Sequence, residues 1–326
     1  MKFPLPDSRR SLWVSLIIGW MPAMVAAQLI SMKTVPVATG DQFLVFPSRN
    51  LAMGGISIAL EDSLMDPFVN PSKGGLLRGN NLILSPAYYR ISDESGSAKT
   101  LPLGTLYGSD HWFWGLSLSL QEIETPLRPG GVGTILGRDR LLGDTRLSNF
   151  YVFAIAGQRL KASNVSVGAS IFWADLNALQ GVTLLYPGSD GVEQFGYMVD
   201  YRLGAVKNLE SGGTVEFLVL LNRLNMTHNV TYITSGWEWW TVRKEKNLDQ
   251  TDTWGVHFRY VRPPAEAKWR TGLIFTANRK THPKIPNYEL MNIPRDPGDS
   301  WAYNVGLGLS LRDGEATVGL DLIYEP

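Results

Sequence analysis

The chain has 326 residues, 44% of them hydrophobic and 18% charged, with 30 basic side chains balancing 30 acidic ones and no cysteine. That balance excludes the basic excess of a nucleic-acid-binding protein, and the lack of cysteine excludes disulfides, thiolate metal ligands and a cysteine nucleophile. A charged fraction below the usual quarter, with 33 glycines, 11 tryptophans and 12 tyrosines, describes a β-rich chain with wide apolar surfaces rather than a disordered or coiled-coil protein or a helical membrane bundle.

Lys2, Arg9 and Arg10 precede an apolar run from Leu12 to Trp20, and the small residues Val25, Ala26 and Ala27 follow. This is the order of a signal peptide: a basic start, a short apolar stretch and a small-residue cleavage site. Pro22 interrupts the run, which is in any case too short for a membrane helix. Residues 1–27 are therefore read as a signal peptide removed before Gln28, leaving 27 basic and 29 acidic residues on an exported chain. No later stretch approaches 18 consecutive apolar residues, so no helical span is expected.

Residues 28–81 form an N-terminal segment ahead of the first strand. Its second half, 49–80, reads RNLAMGGISIALEDSLMDPFVNPSKGGLLRGN. Gly54 and Gly55 permit close backbone approach, Pro71 fixes a turn after Asn70, and Ile56, Ile58, Leu60 and Leu64 are apolar residues suited to packing inside a cavity.

From residue 82 onward the pattern changes to alternation. At 112–121, Trp112, Trp114, Leu116, Leu118 and Leu120 share one face, with Gly115, Ser117, Ser119 and Gln121 on the other; 163–173 and 301–312 behave in the same way. Period-two alternation marks strands with two unlike faces. Eleven strands are read: 82–91, 101–108, 112–121, 147–159, 163–174, 195–207, 213–224, 253–262, 268–278, 301–312 and 315–324. Several reach the roughly 9–11 residues that a tilted strand needs to cross a bilayer. The connections alternate strictly between short turns and long loops, the latter at 92–100, 122–146, 175–194, 225–252 and 279–300. Short periplasmic turns and long external loops are the habit of outer-membrane barrels. Trp112 and Trp269 fall at one end of the strands and Trp173, Trp254 and Trp301 at the other, the expected positions of two interfacial girdles. The fold class is thus an all-β transmembrane antiparallel barrel occupying 82–326.

The stretch Ala52, Gly54, Gly55, Ser57 and Ala59, followed by Asn70, Pro71 and Ser72, resembles the N-terminal signature of the FadL-like outer-membrane transporters of long-chain fatty acids and other hydrophobic compounds. The PorV-type barrels carry a similar one. Ser72 stands where those families usually have alanine. The resemblance covers about 30 residues and implies a hatch folded inside the barrel, with Gly54, Gly55, Asn70 and Pro71 as its gating residues. It also implies 12–14 strands. Eleven is an odd count and the chain ends at Tyr324-Glu325-Pro326. Either a strand lies unread within 225–252, or the barrel is incomplete at its C-terminus, which is the expectation kept here.

The inward faces carry Ser117, Ser119, Ser166, Ser170, Asn304 and Ser310 with Asp200, Arg202, Arg259, Arg270, Arg312 and Asp321, a mixed lumen unlike the densely charged eyelet of a diffusion porin. No two of His111, His228, His257 and His282 stand at metal-ligand spacing. No Gly-x-Ser-x-Gly elbow and no serine motif pairs with His257, so no enzyme is read. Residues 130–137, GGVGTILG, lack the lysine and hydroxyl of a phosphate loop, and no cofactor is expected. Trp237, Trp239 and Trp240 stand on an external loop, either as rim girdle residues or as an apolar patch that captures hydrophobic cargo. The expected function is passive uptake of hydrophobic compounds such as long-chain fatty acids across a Gram-negative outer membrane. The expected partners are membrane lipid and the cargo. The alternative is a PorV-like docking component of a secretion or surface-attachment system.

Overall fold

The structure is a computed structural model and describes residues 58–62, 65–92, 96–124, 146–177, 191–235, 240–262, 267–281, 299–314 and 316–325. The signal peptide expected at 1–27 lies outside them. Twelve strands follow one another: β1 (Gly79–Leu84), β2 (Ala87–Ser92), β3 (Gly96–Gly108), β4 (Trp112–Glu124), β5 (Arg146–Leu160), β6 (Val165–Leu176), β7 (Gly191–Asn208), β8 (Thr214–Ser235), β9 (Trp240–Arg262), β10 (Trp269–Lys280), β11 (Ser300–Asp313) and β12 (Ala316–Tyr324). They form one antiparallel sheet in which each strand from β3 to β12 pairs with the next. Ahead of the sheet lie a single helical turn, α1 (Asp66–Val69), and a 3-10 turn, Pro71–Leu76.

Alternation predicts the faces correctly. On β11, Trp301, Tyr303, Leu307 and Leu309 are exposed while Asn304, Gly306, Gly308 and Ser310 are buried. On β4 the exposed set is Trp112, Trp114, Leu116, Leu118 and Leu120, opposite buried Ser117, Ser119 and Gln121. An exposed leucine-and-tryptophan face backed by a buried polar face is the inverse of a soluble protein's sheet. It is what a wall between lipid and a filled interior requires.

The apolar band has sharp limits. On β10, Trp269 pairs with Leu311 and Arg279 pairs with Trp301, and Arg279 also pairs with Trp254 on β9. The ten residue steps from Trp301 to Leu311, at about 3.3 Å each and a tilt of about 40°, give a band about 25 Å tall. Charged pairs bound it: Arg223–Asp252 at 2.8 Å just beyond Trp254, Arg279–Asp299 at 2.5 Å beside Trp301, and Lys268–Asp313 and Lys161–Asp110, both at 3.2 Å, beside the short turns. Exposed pairs of this kind add little stability. They mark where the outer surface returns to water. Trp112, Trp269, Trp254 and Trp301, all more than half exposed, lie at those limits as the girdle reading requires, and Trp173 is half-buried.

Three boundaries differ from expectation. The strand expected at 82–91 is two strands, interrupted at Ser85 and Pro86; β1 pairs with 103–108 of β3 and β2 with 96–100, so the two share one position in the wall. Pro86 stands opposite the Leu101-Pro102 step, where neither proline has an N–H to donate. The sheet therefore has twelve strands in eleven positions. Second, the loop expected at 92–100 is largely the β2–β3 hairpin. Third, residues 225–252, expected as a long loop, continue β8 and β9 as a ribbon whose pairing runs to Ser235 and Trp240. They add length to two strands rather than a further strand. Thr227, Val230, Thr231, Ile233 and Thr234 supply the β-branched content, and their polarity reads as loop only because the ribbon has left the apolar band. The loops expected at 122–146, 175–194 and 279–300 fall largely outside the described residues.

Leu307, near mid-band and 59% exposed, tests the assignment of the outer face. Leu307→Arg should cost about 2–4 kcal/mol in equilibrium unfolding from lipid vesicles, whereas Leu307→Phe should leave the transition unmoved.

Candidate functional site

Residues 58–62 and 65–78 lie against the concave face of the sheet, and between them they touch every strand from β3 to β12. Residues 58–62 meet the last four strands. The Ile58 N–H donates to Asp321 Oδ2 of β12 at 3.1 Å, and Ser310 Oγ of β11 donates to the Ala59 carbonyl at 3.3 Å. Arg270 of β10 lies 3.5 Å from the Glu61 carboxylate. Arg259 of β9 donates through Nε to the Ile58 carbonyl at 2.9 Å and through Nη2 to the Leu60 carbonyl at 2.5 Å.

Residues 65–78 meet the other six. Lys73 Nζ sits 2.5 Å from Asp66 Oδ2 and 3.0 Å from Glu216 Oε1 of β8, and Glu216 also binds Arg259 Nη1. Arg202 of β7, clamped by Asp200 at 2.6 and 3.3 Å, donates to the carbonyls of Phe68 and Val69 at 3.3 and 2.9 Å. Ser166 Oγ of β6 donates to the Ser72 carbonyl at 2.7 Å, and Arg159 of β5 donates to the Leu77 carbonyl. Phe68 and Leu77 pack with Ile83, Leu106, Phe113, Phe153 and Ile155 from β1, β3, β4 and β5 in one apolar cluster, with the Phe68 and Phe153 rings 4.7 Å apart.

The chain bends this way for local reasons. Asp62 Oδ1 and its carbonyl accept from the N–H groups of Met65 and Asp66, at 3.3 and 2.8 Å, opening α1 with Pro67 in its first turn. Asn70, in extended backbone, stops the helix and caps the 3-10 turn. Its Oδ1 accepts from Ser72 N–H at 3.2 Å and Ser72 Oγ at 2.6 Å, and Pro71 occupies the first position, where no N–H is needed. The wall leaves room by lacking side chains: a Cβ on Gly204 would collide with Asn70 Oδ1, and one on Gly168 would lie 2.7 Å from the Pro71 carbonyl. At the other end Ile58 fills the notch left by Gly272 and Gly308. Only glycine allows this approach.

Lys73, Glu216 and Arg259 are almost wholly buried, at 2, 3 and 4% exposure. Burial pushes the Asp66 carboxyl up from its ordinary range, while the Lys73 ammonium pulls it back. Charges so placed persist only because each meets an opposite charge or several backbone carbonyls, and removing one member strands the rest.

Of the residues singled out from sequence, Asn70 and Pro71 lie in this contact. Gly54 and Gly55 lie outside the described residues, as do Trp237 and Trp239; Trp240 is described by its backbone alone, paired with Ser235 at the end of the β8–β9 ribbon. Of the inward charges read from alternation, Arg202, Arg259, Arg270 and Asp321 touch the luminal segment and Arg312 is exposed. His257 is buried with its Nδ1 2.8 Å from Thr276 Oγ1. Sequence reading missed Lys73, Asp66 and Glu216. Glu216 carried a signal, because it shares its face of β8 with Leu218 and Leu220 and a lone acid in an apolar row needs a buried cation.

A second luminal cluster stands further along the barrel: Tyr151, Ala174, Leu176, Met198, Leu224 and Met226, with Phe172 stacked on Tyr151 at 5.9 Å. Tyr151 OH and Asn149 Nδ2 both donate to Gln121 Oε1, at 2.8 and 2.9 Å, and Gln121 Nε2 donates to Thr100 Oγ1 at 3.2 Å. The interior is thus more apolar than the sequence reading expected.

No family model and no curated protein matches the chain. Among solved structures, the crystal structure of the Pseudomonas putida toluene transporter TodX is similar to it over 85% of this chain and 82% of that one, with 11% sequence identity and a TM-score of 0.43. Likeness of that degree assigns no family.

Arg259→Met removes the donor to two luminal carbonyls and leaves Glu216 with one cation. It should cost about 3–5 kcal/mol where the luminal contact is retained, or free residues 58–62. Hydrogen exchange at the Ile58 amide should rise by at least tenfold in Arg259→Met; exchange as slow as in the wild type would show that these carbonyl bonds do not hold residues 58–62.

Proposed function

We propose that this chain is an outer-membrane channel through which small hydrophobic compounds, long-chain fatty acids among them, pass without nucleotide, metal or covalent step. In this reading the segment that includes Gly54, Gly55, Asn70 and Pro71 is its hatch. The observation that carries the reading is the contact of residues 58–62 and 65–78 with the wall: this stretch reaches both flanks of the sheet from its inward side, which supports reading it as a plug that has to move. Its fastenings support a moving part. Hydrogen bonds from Arg259, Arg202, Ser310 and Ser166 to main-chain carbonyls can be exchanged for water or for one another at a small net cost each. The apolar cluster around Tyr151 and Met198 supports an apolar cargo, whose binding gains about 25 cal/mol per Å² buried before ordering costs. The signal peptide read at 1–27 and the lipid-type outer face support the outer membrane as its place.

A second reading has one observation in its favour. The β8–β9 ribbon runs fourteen residues past Trp254, ending at Ser235 and Trp240, with Arg243, Lys244 and Lys246 exposed along it. A ribbon outside the bilayer is a surface on which a PorV-like docking partner could sit. Co-purification of a stoichiometric protein partner, lost on trimming 226–249 to a short turn, would establish that reading; uptake lost with the same trimming and no partner would dismiss it.

The absence of cysteine makes the hatch directly testable. A Cβ at Gly308 would lie 2.5 Å from Ile58 Cβ, so about 1 Å of relaxation reaches disulfide geometry. Ile58→Cys/Gly308→Cys, oxidised, should abolish uptake of a hydrophobic tracer into cells or vesicles, and reductant should restore it. Uptake indifferent to oxidation state would end the hatch reading. Asn70→Ala should lower uptake several-fold while the heat-modifiable migration of the folded barrel stays unchanged; undiminished uptake would remove the role given to Asn70.

A further inference from the structure

Above the apolar cluster, towards the free end of the ribbon, three strands place three polar residues side by side on the inward face. The register sets Gln194 of β7 opposite His228 of β8, and His228 opposite Asn247 of β9. All three are more than nine-tenths buried, at 8, 5 and 3% exposure. Both amide atoms of Gln194, Nε2 and Oε1, and the Oδ1 of Asn247 have no hydrogen-bond partner among the described residues. One tier nearer the hatch on the same face stand Gly196 and Met226, and the tier after that brings Met198 beside Leu224. One tier further out stand Val230 and Glu245, the latter 3.0 Å from Arg243.

Buried amides without partners cost free energy, and interiors rarely keep them unless something else satisfies them. Here the unsatisfied set is one full amide and one carbonyl oxygen. It therefore calls for a group that both donates and accepts. One tier further out the Glu245 carboxylate is paired with Arg243 on the same face, so the pair presents no net positive charge to an incoming anion. Directly below the row lies a run of methionine and leucine, apolar and adaptable side chains that suit a hydrocarbon. We infer that Gln194 and Asn247 form a head-group site for an amphiphile with an uncharged hydroxyl or amide head, whose tail lies along Met226, Met198 and Leu224 towards the hatch. The inference rests on the transport reading and sharpens it: the cargo that this barrel retains is a neutral amphiphile, in preference to a bare hydrocarbon or a carboxylate.

The full chain in lipid vesicles supplies the test, with decane, decanol, decanamide and decanoate as probes and protein-dependent binding as readout. Decanol and decanamide should bind at least tenfold more tightly than decane and decanoate. Gln194→Met with Asn247→Leu, which keeps the shapes and removes only unpartnered groups, should abolish that preference, leave decane binding unchanged and leave heat-modifiable folding intact. Equal binding of decane and decanol by the wild type, tighter binding of decanoate, or a preference that survives in the double variant would overturn the head-group site while leaving transport standing. Binding of none of the four probes would overturn both.

Discussion

One short stretch of chain makes contact with ten consecutive strands, and the rest of the molecule is shaped by that constraint. A sheet of this width, with one apolar and one polar face, has to curl so that the polar face turns inward. Here the inward face is not left to water. Ile58 reaches β12 and Leu77 reaches β3, so residues 58–62 and 65–78 fix the curvature from both flanks. The inward residues of the wall answer to that segment in turn: glycine where its backbone presses close, serine or arginine where its carbonyls need donors, and aromatic rings where Phe68 enters.

The two halves of this contact are unlike. Residues 65–78 bury Phe68 and Leu77 among side chains of β1, β3, β4 and β5, and each of those side chains gains roughly 1.5–3 kcal/mol by burial. Residues 58–62 bury only Ile58 and the small Ala59 as apolar side chains and are otherwise held through carbonyls, N–H groups and the Glu61–Arg270 pair. Lys73, Glu216 and Arg259 join the halves, since Glu216 accepts from Lys73 of one half and from Arg259, the wall residue that holds the carbonyls of the other. A buried triad of this kind adds little net stability, because its desolvation offsets its attraction, but it is intolerant of change at any single member. It serves better to define one position of the segment than to hold it hard.

Much of the wall was legible in the sequence. The faces of β4, β6 and β11 follow from alternation alone, because a lipid-facing side chain has no substitute for apolarity and the period of a strand is fixed. The errors fall where that rule stops applying. Ser85 and Pro86 break a strand without breaking its alternation, and residues 225–252 carry strand backbone with loop-like polarity because they lie beyond the lipid. The site was less legible than the wall. Asn70 and Pro71 were visible through the family resemblance, and Pro71 also through its fixed φ; that Asn70 caps the 3-10 turn was not. Arg202 and Arg259 were visible as inward charges, but nothing local tells that Arg259 lies against Leu60. Lys73 was hidden for the same reason, since its partner Glu216 lies 143 residues away and sequence distance carries no record of a shared cavity.

The unlike halves bear on how such a barrel could open. Moving residues 65–78 would expose Phe68 and Leu77 and empty the space beside Phe113 and Phe153, and an emptied apolar site adds a cavity cost to the lost burial. Moving residues 58–62 exposes Ile58 and the smaller Ala59 and exchanges bonds to arginine, serine and aspartate for hydrogen bonds to water. The cheaper motion therefore pivots near α1, where Asn70 ends the helix and Pro71 fixes the next backbone angle, and swings the strip from Ile58 away from β9–β12. A pivot there leaves the aromatic packing of the far wall intact. On the proposed reading the passage then opens along the glycine-lined notch of β10 and β11, where Gly272 and Gly308 offer no side chain to fill the space that Ile58 vacates.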